Sequence, residues 1–335
     1  MTRPATDPAT ANDVSPDPSF HTDWASAVRS RLLTWFRDNA RELPWRRTRD
    51  PYRILVSEVM LQQTQVDRVI PYFEAFLSSF PSVESLAAAP TSDVIRLWAG
   101  LGYNRRAVNL QRTAQAVVKR GGWPTDPEGL GRLPGIGPYT AGAVACFAFE
   151  QDVAFVDTNM RRVVHRLKFG PDLPSPVATE REVLAVAERL VPVGNGWEWN
   201  QALIEFGALH CTARKPACVV CPLQQSCRAY PTIQSIVATL PRGIRKKQEA
   251  PFEGSNRYYR GRILDALRTV PPDSDAGIDL SELGPRIRER FDASHLPWLR
   301  SVVDGLARDG LAVIAEERPA YDLAEPGSAK VRLPG

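Results

Sequence analysis

No stretch of this 335-residue chain is apolar over the length of a membrane span, which excludes a bilayer-crossing helix from the reading. Residues 1–20 lack the apolar core of an export signal. Rich in Pro, Thr, Asp and Ala, they read as a disordered tail. These absences point to the cytoplasm or the nucleoid. Strand-like alternation is scarce before residue 230, so a sheet is excluded as the frame of the first two-thirds. Excess charge of one sign is missing as well. The formal net charge of +4 is compatible with a polyanionic partner but is not evidence of one. Cysteine is rare, with five in all, and a disulfide framework does not suit a long chain without an export signal.

What cysteine there is, is concentrated. Cys211, Cys218, Cys221 and Cys227 have the spacing C-x6-C-x2-C-x5-C, while Cys146 lies far away in an apolar run and reads as a small core residue. The intervening residues include two prolines and show no strand pattern, as expected of a loop wrapped around a metal centre. Four thiolates on one compact loop suit a [4Fe–4S] cube. Zinc, which prefers paired C-x2-C or Cys/His sets, stays open on spacing alone.

Apolar residues at helical spacing predict helices from Trp24–Asp38 through Tyr52–Gln65, Pro71–Phe80, Val83–Ala89, Ser92–Gly100, Arg105–Lys119, Thr140–Phe149, Thr158–Lys168 and Thr179–Leu190 to Asn200–Leu209. The first two-thirds is therefore an all-α, many-helix assembly with short connections. Residues 231–254, rich in Arg, Lys and Pro, read as a linker. Three further helices follow (Tyr258–Leu267, Leu280–Phe291, Leu296–Arg308), then a hairpin from Leu311–Ala315 and Ala320–Leu323. That order fits a winged-helix-like module over 255–324, or a generic three-helix oligomerisation unit. Residues 325–335 read as a tail.

Between two helical patterns lies Leu133-Pro134-Gly135-Ile136-Gly137-Pro138-Tyr139-Thr140. Gly135 and Gly137 permit backbone conformations that other residues resist. They would expose N–H groups ahead of a helix, which is a phosphate site needing no side-chain charge. Two carboxylates stand out beside it. Glu58 sits among apolar residues on a helix, costly unless paired with an arginine such as Arg46 or Arg53, or functional. Asp157 precedes Thr158-Asn159 and a helix, which also suits an N-cap. As a pair they could split roles, one carboxyl giving a proton and the other staying ionised beside a developing cation.

Taken together, these strings resemble the helix-hairpin-helix DNA glycosylases that hold a [4Fe–4S] cluster, and most of all the A/G-mismatch adenine glycosylases (MutY family). The resemblance spans residues 24–230. It includes Leu43-Pro44-Trp45-Arg46, Ser57-Glu58-Val59-Met60-Leu61-Gln62-Gln63-Thr64, Gly100-Leu101-Gly102-Tyr103, the hairpin, Val156-Asp157, Asn200-Gln201-Ala202-Leu203-Ile204 and the cysteine loop. It implies a two-lobed all-α fold. A six-helix barrel would come from 43–151, and a cluster lobe from 23–42 with 152–230, behind a tail over 1–22. The target base would flip into a cleft between the lobes. It implies Glu58 as the acid that protonates adenine N7, Asp157 as the stabiliser or covalent trap of the oxocarbenium ion, and Tyr139 as a hydrogen-bonding group at the centre. Trp45, Arg46, Leu61, Gln201 and Ile204 would line the adenine pocket. Gln63 and Tyr103 would wedge into the duplex, while Gly135, Gly137, Arg214 and Lys215 would touch DNA. Each of these has a plainer alternative in core packing or turn closure.

The related bifunctional lyases of the endonuclease III type place lysine at the hairpin position occupied here by Tyr139, and tyrosine cannot form a Schiff base. A monofunctional enzyme is implied, acting as a monomer on double-stranded DNA that carries a mismatch or 8-oxoguanine. No Nudix-like C-terminal domain is recognisable, and Ser294-His295 reads as part of a helix N-cap. A thymine/uracil mismatch glycosylase on the same scaffold and a non-catalytic Fe–S DNA-binding protein are the alternatives.

Overall fold

The computed structural model describes residues 22–239, 251–271, 277–316 and 329–335. They divide into two compact units: 22–40 with 156–239, and 41–155 with the described residues from 251 onward. Helix α1 (Thr22–Asn39) opens the first unit. The chain then builds seven helices of the second: α2 (Pro51–Leu61), α3 (Val66–Ser79), α4 (Val83–Ala88), α5 (Thr91–Leu97), α6 (Arg105–Arg120), α7 (Pro127–Gly131) and α8 (Pro138–Phe149). It returns to the first unit with α9 (Thr158–Lys168), α10 (Glu180–Leu190), α11 (Gly196–Leu209) and α12 (Thr232–Thr239).

Local chemistry explains the boundaries. Asp50 accepts from the N–H groups of Tyr52 and Arg53, and Pro51 occupies the first helical position, so α2 starts there. It ends at Leu61, earlier than the apolar spacing predicts, because Gln63 has φ +55 and no right-handed helix passes through that conformation. Helix α3 runs through Pro71 and starts at Val66, five residues before the expected start at that proline. Helix α10 carries a reciprocal capping box between Thr179 and Glu182. In the first unit α11 packs closely on α9. A Cβ on Gly207 would lie 2.9 Å from the Asn159 carbonyl oxygen, so only glycine permits the approach.

Other segments differ from the sequence expectation more widely. The short helix α7 ahead of the hairpin was not foreseen. Its Pro-Glu-Gly-Leu-Gly sequence has little helix propensity, but Asp126 caps it by accepting from Gly129 N–H at 2.8 Å. Residues 232–239, read as linker, form α12, and its Ile233 is buried. Residues 329–335, read as a tail, supply a strand and two capping carbonyls.

That strand belongs to a module of α13 (Asn256–Arg268), β1 (Ile278–Asp279), α14 (Leu280–Ile287), α15 (Leu296–Arg308), β2 (Val313–Glu316) and β3 (Ala329–Arg332). The sheet is antiparallel with order β1-β3-β2, Val331 lying opposite both Ile278 and Ile314. This is the winged-helix order of elements. The expected mate of β2, residues 320–323, lies outside the described residues, and the observed mate is 329–332. Helix α14 stops at Ile287 rather than Phe291. Asp292, not Ser294, caps the next turn: it accepts from Ser294 N–H at 2.9 Å, and His295 folds back onto it.

The module shares its core with the helices before it. Ile95 of α5 and Val108 of α6 are buried in one cluster with Ile263, Leu283, Leu299, Val303 and Val331. Ser92 N–H at the start of α5 donates to the Pro334 carbonyl at 2.8 Å, and Thr91 N–H donates to Gly335 at 3.3 Å. The chain's last two carbonyls thereby satisfy donors that α5 leaves open.

Candidate active site and metal centre

In the second unit, Glu58 lies on α2 and is only 7% exposed. Leu61, one turn on, is half-buried on the same face. Arg53, one proposed partner of Glu58, reaches Asp50 at 3.9 Å, and Arg46 donates to the Arg41 carbonyl at 2.9 Å. Trp45 is buried in a 3-10 turn (Pro44–Arg47), edge-on to Phe73 at 5.5 Å. The hairpin joins α7 to α8. Gly135 has φ +79, and a Cβ there would strike Asn109 at 2.7 Å. Gly137 differs from expectation. Its φ of −91 and ψ of 173 suit any residue, and a Cβ would meet nothing. What its glycine provides is bare backbone at the start of α8. Tyr139 follows in the first turn of α8, half-buried and edge-on to Phe155 at 5.3 Å.

The two expected wedge residues both have left-handed backbones. Gln63 has φ +55, and Tyr103 has φ +48 with 57% exposure. One residue missed by the sequence reading joins their loops. Arg106 on α6 donates to the carbonyls of Val59 at 2.8 Å, Met60 at 3.1 Å and Gln62 at 2.5 Å, closing the C-terminus of α2. Its other nitrogen reaches Leu101 at 3.3 Å and Gly102 at 3.2 Å. The guanidinium lies 5.5 Å from the ring centroids of Trp98 and Tyr103. The available signal was positional, because Arg106 heads the stripe that continues through Leu110, Thr113 and Val117 into the core.

In the first unit, Asp157 caps α9. One carboxylate oxygen accepts from Met160 N–H at 2.7 Å and the other from Asn159 Nδ2 at 3.0 Å. Asn159 in turn accepts from Arg162 at 2.8 Å, and Arg162 donates to the carbonyls of Gly207 at 2.6 Å and Cys211 at 2.7 Å. A continuous hydrogen-bonded path thus runs from Asp157 to the first cysteine. Gln201, buried, and Ile204, half-buried, lie one turn apart on α11.

The four cysteines line one cavity walled by Val163, Leu167, Phe206, Leu223 and Ile233. Ile233 brings α12 into the wall. Arg166, 1% exposed, ties the loop to α9 through the carbonyls of Thr212 at 2.8 Å and Ala213 at 3.0 Å, and lies 3.5 Å from Cys211 Sγ. Asp172 balances it at 2.6 Å. Burial pushes all four thiols up, Cys221 to about 12. Burial thus disfavours the free thiolates, and a cationic centre would offset that cost. Among the described residues, no three His, Cys, Asp or Glu side chains are set to grip a single metal ion. Four thiols spread around one cavity suit a larger centre that takes one thiolate at each corner. Arg214 and Lys215 are exposed on this loop.

Residues 56–189 match the model of the HhH-GPD superfamily of base excision DNA repair proteins, and residues 211–227 match the iron–sulfur binding domain of endonuclease III. The fold and the cysteine cavity thus define an iron–sulfur helix-hairpin-helix protein of the base-excision class, with a [4Fe–4S] cluster in the region of residues 211–227. The chain is 40% identical to the adenine DNA glycosylase of Mycolicibacterium smegmatis, over 86% of this chain and 98% of that protein. It belongs to the adenine DNA glycosylase family. Among solved structures it is similar to a thermostable thymine-DNA glycosylase (TM-score 0.59, 32% identity, covering 63% of this chain and 98% of that one). It is also similar to endonuclease III in a non-covalent DNA complex (TM-score 0.54, 25% identity, covering 62% of this chain and 96% of that one).

Proposed function

We propose that the chain excises adenine mispaired with 8-oxoguanine or guanine from double-stranded DNA, as a monofunctional hydrolase that leaves an abasic site. The observation that carries this reading is the 40% identity to an adenine DNA glycosylase along nearly its whole length. Glu58 on α2 and Asp157 at the head of α9 accompany it.

In this reading Glu58 delivers a proton to adenine N7. The C1′–N9 bond then breaks, its electron pair leaving with the neutral base, and C1′ becomes oxocarbenium-like. Asp157 faces that cation as a carboxylate, or bonds to it transiently, until water adds hydroxide to C1′ and releases its proton. Asp157 is held as an acceptor by Met160 N–H and Asn159, so its oxygens are positioned before substrate arrives. Tyr139 hydrogen-bonds at the centre and, lacking an amine, leaves the strand uncut. Gln201, Ile204, Leu61, Trp45 and Arg46 surround the base. Gln63 and Tyr103 occupy the space it vacates in the duplex. Gly135, Gly137, Arg214 and Lys215 hold phosphates. The cluster supplies a structural crosslink, since hydrolysis changes no oxidation state. No helix among the described residues is long and apolar enough to cross a membrane. A monomer working at the nucleoid is part of the same proposal.

The likeness to a thymine-DNA glycosylase favours a second reading, removal of thymine or uracil opposite guanine. Single-turnover excision from duplexes with A:8-oxoG, A:G, A:T, T:G and U:G pairs tests the opposing-base claim. Adenine is expected to leave fastest opposite 8-oxoguanine or guanine. Equal rates opposite thymine would contradict the mismatch preference.

A further inference from the structure

We propose that the C-terminal module carries a second nucleic-acid site: an arginine–aromatic platform that stacks unpaired bases. This goes beyond the excision chemistry and uses none of its residues.

The platform is a chain of four rings. Phe252 meets Tyr258 edge-on at 5.8 Å, Tyr258 meets Tyr259 at 5.3 Å, and Tyr259 meets Trp298 at 4.7 Å. The inner pair, Tyr259 and Trp298, rests against the module's core, while Phe252 at the far end is 60% exposed. The rings are set in place beforehand. Trp298 Nε1 donates to Asn256 at 3.3 Å, and the Tyr258 hydroxyl accepts from Arg262 at 3.0 Å.

Two arginines complete the surface. Arg262 lies over Tyr258 at 5.7 Å, and Arg288 over Trp298 at 5.3 Å. Four other arginines of the module are paired with carboxylates: Arg260 with Asp309, Arg268 with Asp265, Arg286 with Glu282 and Arg300 with Asp304. Arg262 and Arg288 have no carboxylate partner among the described residues. Uncompensated guanidinium groups thus lie beside two of the four rings. Cations beside ring faces are what a strand with free bases requires, phosphates pairing with guanidinium and bases with rings. A duplex offers phosphates but keeps its base faces stacked. The rings therefore point to single-stranded or locally unpaired DNA.

The test uses the full chain with its cluster. The protein is first saturated with unlabelled duplex bearing an abasic-site analogue, so that the excision centre is occupied. A labelled oligothymidine of about twelve nucleotides is then titrated by fluorescence anisotropy. Wild type is expected to take up the oligonucleotide. R262A/R288A should weaken uptake by about tenfold and lower the salt slope by about 1.4, the value for two lost phosphate contacts on a single strand. F252A should weaken it by about fivefold or more with the slope unchanged, since only stacking is lost. R262K/R288K should keep the slope. Adenine excision from duplex should be the same in all of them. The proposal is overturned if the saturated wild type takes up no oligonucleotide, or if R262A/R288A keeps wild-type affinity and slope. It is also overturned if the surface instead mediates self-association of the chain in sedimentation that F252A abolishes.

Discussion

At Asp157 two roles coincide in one side chain. As an N-cap it satisfies Met160 N–H, and the same oxygens are those proposed to face the sugar cation. The two roles separate on substitution. Asparagine caps nearly as well as aspartate but has no charge, so Asp157→Asn should change stability by less than about 0.5 kcal/mol. Excision should nevertheless fall by about three orders of magnitude or more while mismatch binding persists, the change expected when a group acting in the transition state is lost. Thermal melts and single-turnover kinetics on one preparation check both halves. Retained excision would remove Asp157 from the chemistry. Arg106 acts differently, because it touches only the protein. Truncating it leaves the carbonyls of Val59, Met60 and Gln62 short of a donor beside two left-handed residues. Arg106→Ala should cost about 2 kcal/mol or more. It should also slow excision by loosening the Gln63 and Tyr103 loops. Arg106→Lys should recover only part of this, because an ammonium lacks the fork that bridges both loops. Melting temperature and excision rate, measured across the three proteins, decide the matter.

The secondary-structure elements that the sequence made legible are those with a local signature. Long helices with apolar stripes, the proline-glycine hairpin and the cysteine loop need no distant partner to be recognised. Elements that depend on tertiary partners were not legible. Helix α7 is five residues with two glycines, stabilised by its Asp126 cap. Helix α12 gains its place from Ile233 at the cluster cavity. Strand β3 shows the clearest case. Ala329, Val331 and Leu333 alternate as buried residues with Lys330 and Arg332, yet five terminal residues carry too little pattern to be told from a tail. Because β3 is the central strand and Pro334 and Gly335 close α5, removal of 329–335 should do more than shorten the chain. Burial of Val331 and Leu333 contributes about 1.5–3 kcal/mol each, before any loss of sheet and cap. Truncation after Ser328 should therefore lower the melting temperature of the helices before it as well as of the module, and hydrogen exchange at α5 should rise. Unchanged protection of α5 would contradict the shared core.

For the whole molecule, each unit contributes a different part of the account. One holds the cluster loop, Asp157 and the α11 face with Gln201 and Ile204. The other holds Glu58, the hairpin with Tyr139, and the loops of Gln63 and Tyr103. The family and the [4Fe–4S] loop were legible because they rest on residue identities at fixed spacings. Arg106, Asn159, Arg162 and Arg166 were not, because a sequence does not reveal which arginines turn inward. The hydrogen-bonded path from Asp157 to Cys211 fits the structural role proposed for the cluster, because it ties the cysteine loop to α9 and its cap. The central claim is that this assembly releases adenine. The most direct test is chromatographic identification of the free base liberated from duplexes with A:8-oxoG, T:G or U:G pairs, using wild type and Glu58→Gln. The account predicts free adenine and an uncut abasic strand from the first duplex with wild type alone. Release of thymine or uracil without adenine, or adenine release undiminished in Glu58→Gln, would contradict it.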